Sequence, residues 1–248
     1  MVTIKSPEEI RLMKQAGRIA AKILHQVIKI SKPGLSTKDL DEYAEHLFPK
    51  YKAIAAFKGY NGFPATICCS VNEELIHGIP SPKRIINSGD LISLDLGVKY
   101  NGYYADTAFS FYIGRPPKDI KHILATGKNA LMAAIKVARE GITLGDLGYT
   151  IQKLVEDNGL CVVRKYVGHG IGSALHEDPE VPNFGKPFEG IVLKEGMTLA
   201  IEPMVTFKTP DVSVGTDGWT VSSKDKLPCV HFEHTVLIKK KSCDILTQ

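Results

Sequence analysis

The sequence of 248 residues has few cysteines, no long apolar run and no strong excess of one charge. Its five cysteines are an odd number, Cys68 and Cys69 are adjacent, and no CxxC pair indicates a zinc ribbon. This usage is typical of a reducing compartment. No stretch approaches the roughly 20 apolar residues that span a bilayer, and no apolar signal segment follows Lys5. We therefore expect a cytoplasmic location and no membrane partner.

The charge balance is also unspecific. Formal net charge is +4, from 31 basic and 27 acidic residues, which does not identify a protein that reads a nucleic-acid sequence. The run 239–241 of three lysines is most simply a solvated strand end, and the alternative is a weak attraction to RNA. With 44% hydrophobic residues, the chain can build one substantial core.

Capping signals predict where the first helices begin. Ser6 can cap a helix, Pro7 fits its first turn, and Glu9 completes a capping box. Pro33-Gly34 ends this helix. A second helix is predicted from Ser36 or Thr37 to about Phe48.

The junction after the first helix recurs in the second half of the chain. Gly34-Leu35-Ser36 matches Gly141-Ile142-Thr143, and the preceding helical patterns align at the same offset. This repeat predicts a duplicated α+β unit with halves of about 1–113 and 114–248 within one catalytic domain. The alternative is that a Gly-hydrophobic-Ser/Thr junction recurs by chance.

A hairpin is predicted at Asn101-Gly102, the strongest short hairpin signal, between strands at 91–98 and 103–111. A two-residue loop would place Asp106 opposite Gly97 and therefore on the same face as Asp95. The two aspartates would then be diagonal neighbours, roughly 7–8 Å apart at their backbones. A one-residue bulge would put them on opposite faces.

Three further polar residues, His169, Glu202 and Glu233, lie within or next to mainly apolar segments. His169 stands between two glycines, which predicts a Gly-rich turn, and Glu202 ends an apolar strand at 197–201. Glu233 alternates with His231 and Thr235 along a predicted strand at 230–238, so these three would share a face. Taken alone, a histidine in such a turn is more often structural, and Glu202 and Glu233 are singly as well explained as charges at a sheet edge.

Four carboxylates gathered without a counter-charge would repel one another and lose solvation. Two divalent cations would balance Asp95, Asp106, Glu202 and Glu233, and His169 would add a neutral ligand. If the fold brings these five together, the pattern predicts a two-metal hydrolytic centre.

Several phrases in order resemble the type I methionine aminopeptidases along essentially the whole chain. The resemblance implies the pita-bread fold, an α+β architecture of two pseudo-symmetric αβ halves around a curved antiparallel sheet that cradles a dinuclear metal site. The phrases are YNGFPATICCSVNEELIHGIP at 60–80, GDLISLDLGVKYNGYYADT at 89–107, GHGIGSALHEDPEVPNF from Gly168, GMTLAIEPM at 196–204 and FEHTVLI at 232–238.

Carried over by position, the resemblance implies the metal ligands. Asp95 would bind one ion, Asp106 and Glu233 would bridge both, and His169 with Glu202 would complete the other. Oxygen-rich ligation with one imidazole suits Mn, Fe, Co or Zn and leaves the native metal undetermined.

The same resemblance implies a metal-dependent hydrolase that removes the N-terminal methionine of nascent proteins and peptides, preferably before a small residue. The free amine would bind a metal, and a hydroxide between the ions would attack the first carbonyl. His176 would hydrogen-bond the carbonyl oxygen, His77 would contact the substrate near the scissile amide, and Glu202 would shuttle a proton to the leaving amine. The alternative for His77 and His176 is two solvent-facing loop histidines.

The methionine pocket of the family can be placed on this chain as well. Cys68 would form a soft wall, and the alternative is a small buried strand residue. Leu175 and Phe57 depart from the family pattern, so the shape of the pocket is left open. His231 is also unusual before Phe232-Glu233, and the alternatives are a group that supports the metal ligands or a residue without a role. The positions that carry the pocket are Tyr60, Phe63, Cys68, His77 and Trp219.

Two rival functions share the fold. A proline-directed peptidase, an aminopeptidase P or prolidase, usually carries a separate amino-terminal domain, and type II relatives carry an extension and an inserted subdomain; we expect neither here. A non-catalytic binding protein would tend to lose metal ligands, whereas all five are present.

The resemblance implies nascent chains and the ribosome as partners and a monomer as the default state. A monovalent cation site cannot be read from the sequence.

Overall fold

A computed structural model describes residues 2–248 of the protein. Its helices begin where the sequence supplies caps. The Ser6 hydroxyl accepts from the Glu9 amide while the Glu9 carboxylate accepts from the Ser6 amide, and Ser36 and Thr143 form the same capping box. The first two predicted helices are therefore confirmed. The helices are α1 Pro7–Ile30, α2 Thr37–Leu47, α3 Lys118–Val137 and α4 Leu144–Asp157.

All strand pairs are antiparallel among the described residues, which confirms the α+β class. The strands are β1 Ile54–Ala55, β2 Cys68–Val71, β3 Glu74–Ile76, β4 Leu91–Tyr100, β5 Tyr103–Tyr112, β6 Cys161–Val162, β7 Gly168–Gly170, β8 Glu177–Val181, β9 Thr198–Ile201, β10 Met204–Thr206, β11 Val212–Val214, β12 Val221–Ser223, β13 Val230–His231, β14 His234–Ile238 and β15 Cys243–Ile245.

Two sheets position the candidate site. One holds β1, β4 and β2, with β5 paired to β4, and the other has the order β15-β14-β9-β7-β8. Helices α1 and α2 pack on the first sheet around Ile23 and Leu40, while α3 and α4 pack on the second around Ile123 and Ile151. Each sheet thus has one face against a helix pair and an apolar core of its own.

The register of β4 against β5 fixes two of the predicted ligands. Gly97 pairs with Asp106 and Asp95 pairs with Ala108, without a bulge from one end of the hairpin to the other. The predicted register is confirmed, so Asp95 and Asp106 share a face. A side chain at position 97 would not fit, because its Cβ would lie 2.8 Å from Cε1 of Phe57.

The predicted continuous strand at 230–238 is wrong. β13 pairs with β10, β14 pairs with β9, and the chain changes sheets between them at Phe232 and Glu233. The Glu233 amide donates to the Ala108 carbonyl instead of joining a ladder of either neighbour. Because the strand is interrupted between β13 and β14, the direction of the Glu233 side chain cannot be predicted from simple strand alternation.

His169 also differs from its predicted setting, because it lies in β7 rather than in a turn. The three lysines at 239–241 are exposed after β14. Within residues 2–248, the helices are all too short or too polar to cross a bilayer.

Candidate metal centre

Residues predicted for the site meet in a single pocket with a volume of about 190 Å³. β4 supplies Asp95, β5 supplies Asp106 and β7 supplies His169. Glu202 follows β9 and Glu233 precedes β14. The pocket is also lined by His77, His176, Tyr60, Phe63, Cys68 and Trp219.

Three of the five predicted ligands are close enough to share one ion. Asp106, His169 and Glu233 each offer a ligand atom, and these atoms lie within 4.8 Å of one another. All three side chains are buried. Asp95 and Glu202 are outside this group of three but line the same pocket.

The imidazole of His169 is oriented by its own strand. Its Nδ1 donates to the Gly170 carbonyl at 2.8 Å, which leaves the lone pair of Nε2 free for a ligand. Nε2 lies 3.7 Å from Oε1 of Glu202. Glycine on both sides is required by close approach, since a Cβ at 168 would overlap the carbonyl of Ala200 and one at 170 that of Asp178.

Two threonines hold the backbone around Asp106. The Thr235 hydroxyl donates to the Asp106 carbonyl at 2.8 Å and accepts from the Asp106 amide at 2.9 Å. The Thr107 hydroxyl donates to the Glu233 carbonyl at 3.0 Å. These bonds join β5 to the segment that carries Glu233. Sequence analysis placed Thr235 only on the face of Glu233 and did not identify Thr107, because such pairings form between residues far apart in the chain.

The pKa values of the four predicted carboxyl ligands are all raised. Burial and the neighbouring Asp106 and Glu202 raise the pKa of Asp95. Burial and the other three carboxyls raise the pKa of Glu233. Burial and Glu202 raise the pKa of Asp106 to about 7, and burial raises the pKa of Glu202 to about 8. Like charges in a buried site disfavour ionisation. The protein alone therefore does not stabilise four carboxylates here.

The donor set fits a divalent cation. Oδ1 of Asp95 and Oε1 of Glu233 are buried, and neither has a hydrogen-bond partner among residues 2–248. The described lining of the pocket contains no lysine or arginine to neutralise these groups. Buried unpartnered carboxylate oxygens beside an imidazole are ligands that divalent transition metals accept.

Two further histidines stand beside the ligands. Nδ1 of His176 is 2.7 Å from the Tyr60 hydroxyl, and the His176 ring lies 4.2 Å from that of His169. His176 is exposed at the mouth of the pocket, and partial desolvation of its ring lowers its pKa. Burial, with smaller contributions from His231 and His176, lowers the pKa of His77 to about 4. Both rings are therefore neutral near pH 7.

His231 lies close to a predicted ligand. Its Nε2 is 3.3 Å from Oε2 of Glu202, although neither ring nitrogen makes a hydrogen bond within the described chain. Burial lowers the pKa of His231 to about 3. Of the two alternatives that the sequence left open for His231, this contact favours a group that supports a metal ligand.

An apolar wall closes one side of the pocket. The Phe63 ring meets the Trp219 ring edge-on at 5.1 Å, and Phe57 meets Phe63 in the same way at 6.5 Å. Burial and the nearby Asp95 and Asp106 raise the pKa of the Cys68 thiol, so that it stays neutral. Asn61 also lines the pocket and was missed by sequence analysis. The backbone of Asn61 has φ 49°, in the left-handed region. The sequence signal that could have located this turn is the dipeptide Asn61-Gly62.

Comparison with known protein families gives one match over most of the chain. The model of metallopeptidase family M24 covers residues 11–240. Methionine aminopeptidase 1 of Bacillus subtilis is 46% identical over 248 residues, with 100% of both chains covered. A methionine aminopeptidase of Clostridium acetobutylicum is 47% identical over 247 residues, covering 100% of this chain and 99% of that protein.

Solved structures with the same fold include a methionine aminopeptidase from Thermotoga maritima. It superposes with a TM-score of 0.98 at 44% identity, and each chain is covered completely. A prolidase from Pyrococcus furiosus superposes with a TM-score of 0.80 at 27% identity, but this chain covers only 65% of it. These similarities confirm the predicted pita-bread fold.

Proposed function

This chain belongs to metallopeptidase family M24, and we propose that it removes the N-terminal methionine from proteins and peptides, preferably when the second residue is small. The observation that supports this most is the pocket itself. It combines the close group of Asp106, His169 and Glu233 with an apolar wall that fits a flexible thioether.

Membership of a metallopeptidase family indicates a divalent metal, and the proposal extends to two ions. Asp95 would bind one, His169 and Glu202 the other, and Asp106 and Glu233 both. Co, Mn, Fe and Zn all suit these donors. When bound, the ions would lower the pKa of water and so supply a nucleophile at neutral pH.

The protein's own residues would then handle the proton and the carbonyl. If the Tyr60 hydroxyl donates to Nδ1 of His176, the neutral ring carries its proton on Nε2 and can donate it to the carbonyl oxygen of the first residue. Glu202 would accept a proton on the nucleophile's side and deliver it to the leaving amine. His77 would contact the substrate near the scissile amide.

Specificity for methionine would come from the closed side of the pocket. Phe63 and Trp219 would enclose the side chain, the neutral Cys68 thiol would face it, and Tyr60 and His77 would complete the wall. Leu175 and Phe57 also line the pocket. This wall is apolar, so a charged first residue would lose its solvation without a partner.

The biological setting is proposed on the same basis. Substrates would be nascent polypeptides met in the cytoplasm, near the ribosome, and the protein would act as a monomer. The chain would form one catalytic domain of two related halves, about 1–113 and 114–248, each contributing carboxylates to the pocket.

A peptide assay tests the function against its rival. Metal-loaded protein should release methionine from Met-Ala-Ser at least about 100-fold faster than it cleaves an Xaa-Pro peptide, because the wall fits a thioether. Preferential cleavage of Xaa-Pro would assign the chain to the prolidase branch. Metal-loaded protein that released no methionine from any peptide with a small second residue would instead be a binding protein.

A further inference from the structure

The segment before α1 contains a lysine whose side chain is buried. The side chain of Lys5 is only 4% exposed, and its Nζ lies 2.7 Å from Oε2 of Glu177. Nζ also donates to the hydroxyl of Thr3. A buried ammonium is tolerated only when it is paired, so the two ends of this contact are fixed relative to each other.

Glu177 connects this lysine to the loop that carries His176. Its Oε1 accepts from the Ala174 amide and from the Ser173 hydroxyl, each at 3.1 Å. Burial would raise the pKa of Glu177, but hydrogen bonds from Lys5, Ala174 and Thr3 outweigh it and hold the pKa at about 2. The carboxylate is therefore ionised near pH 7, and it anchors Ser173 and Ala174, which come just before His176 in the chain.

Packing leaves this connection little freedom. A Cβ at Gly172 would overlap the Lys5 side chain, so the lysine lies directly against the loop. The Lys5 amide donates to the Gly196 carbonyl at 2.9 Å, just before the strand that leads to Glu202. Lys5 thus joins the His176 loop to the base of β9.

We propose that Lys5 and Glu177 are positioning residues that hold the His176 loop, residues 172–177, in place against the pocket. This inference rests on the role proposed for His176 in methionine removal. The pair would not touch the substrate. It would act through the His176 ring, because the position of this ring depends on the position of the loop. A displaced ring would weaken stabilisation of the carbonyl oxygen without preventing the binding of the methionine side chain.

The test replaces each end of the pair. Lys5→Met removes the charge, and Glu177→Gln keeps the shape and the acceptor for Ala174. Both should lower kcat for Met-Ala-Ser about tenfold with KM within about twofold. Amide hydrogen exchange across 172–176 should become faster in both. Lys14→Met is the matched control, because Lys14 makes a partly exposed ion pair with Asp244 at 3.5 Å, away from the His176 loop, and should leave kcat and exchange unchanged.

A double-mutant cycle separates positioning from general stability. In a His176→Ala background, adding Lys5→Met should lower kcat by less than about twofold, since the ring through which the lysine acts is gone. An equal tenfold loss in that background would overturn the inference. Unchanged kcat and unchanged exchange in folded Lys5→Met and Glu177→Gln would do the same.

The two proposals fail in different ways. If the wild-type protein releases no methionine, the proposed function is wrong, and the exchange measurement still tests whether Lys5 holds the loop. If the wild type is active but the variants match it in kcat and exchange, only the positioning inference is wrong.

Discussion

Glu202 and Glu233 occupy corresponding breaks in two paired strands. β9 pairs with β14 on one side of the breaks, and β10 pairs with β13 on the other. The Phe232 amide donates to the Pro203 carbonyl at 3.3 Å between them. Each glutamate therefore lies where its chain passes from one sheet to the next. As a result, two glutamates at strand ends lie close together in the pocket. The pattern of either strand alone does not predict this proximity.

The carboxylate of Asp106, one of two in the close group of three, should be essential for holding metal. Asp106→Asn keeps the size of the side chain and its place opposite Gly97 but removes a charge that balances the cations. We expect metal affinity to fall at least about 100-fold and methionine release to disappear with it. Metal content after gel filtration and peptide turnover would be measured on the same sample. Full metal retention in this variant would contradict the proposed ligand set.

His176 should matter for turnover and not for metal. His176→Ala removes the donor to the carbonyl oxygen, so kcat should fall about 100-fold while bound metal stays unchanged. His122→Ala is the control, since His122 is exposed and contacts only the Asn158 carbonyl among the hydrogen bonds of the described residues. A loss of metal in His176→Ala would place this ring among the ligands instead.

The metal-free protein should lose stability as pH rises above about 6.5. Asp106 and Glu202 have pKa values of about 7 and 8 when folded, against 3.8 and 4.5 as reference values, so the folded state keeps protons that the unfolded chain has released. Stability then falls with rising pH until the folded pKa is passed. From these two groups the expected loss between pH 6.5 and 8.5 is about 3 kcal/mol. Urea unfolding of chelated protein measures it.

Buried histidines act in the opposite direction over a lower range. Folding lowers the pKa of His169 and of His231 from 6.5 to about 3, so their contribution to stability grows as pH rises from 3 to 6.5. Above that range only the carboxyls change the balance. Saturating Mn²⁺ should abolish the decline, because cations favour the ionised carboxylates. A metal-free protein as stable at pH 8.5 as at pH 6.5 would contradict the assignment of these pKa values.

His231 should tune the metal site through Glu202. His231→Leu removes the polar ring 3.3 Å from the carboxylate, so we expect Mn²⁺ affinity to fall about tenfold. His231→Gln keeps a group that can donate and should stay within about threefold of wild type. Calorimetric titration of chelated protein with Mn²⁺ compares the three. Equal affinity in the leucine variant would show that the contact has no influence on the ligand.

Local signals in the sequence predicted much of this arrangement. Capping residues located the first helices, and Asn101-Gly102 fixed the hairpin register that puts Asp95 and Asp106 on one face. These features depend on residues a few positions apart. The break before β14 was not predicted, because alternation at 230–238 continues through it while the pairing partner changes.

Long-range contacts were beyond the reach of local patterns. The burial of Lys5 depends on Glu177, which lies far along the chain, and a lone lysine before a helix ordinarily indicates a solvated end. The bonds of Thr235 to Asp106 are of the same kind. Such contacts exist only once both sheets have come together.

The two-metal site can be examined in a crystal of the protein soaked with Mn²⁺, with anomalous scattering recorded. We expect two anomalous peaks in the pocket, with Asp106 and Glu233 contacting both, Asp95 one, and His169 with Glu202 the other. A pocket without a peak at saturating Mn²⁺, or ions bound away from these five side chains, would contradict it.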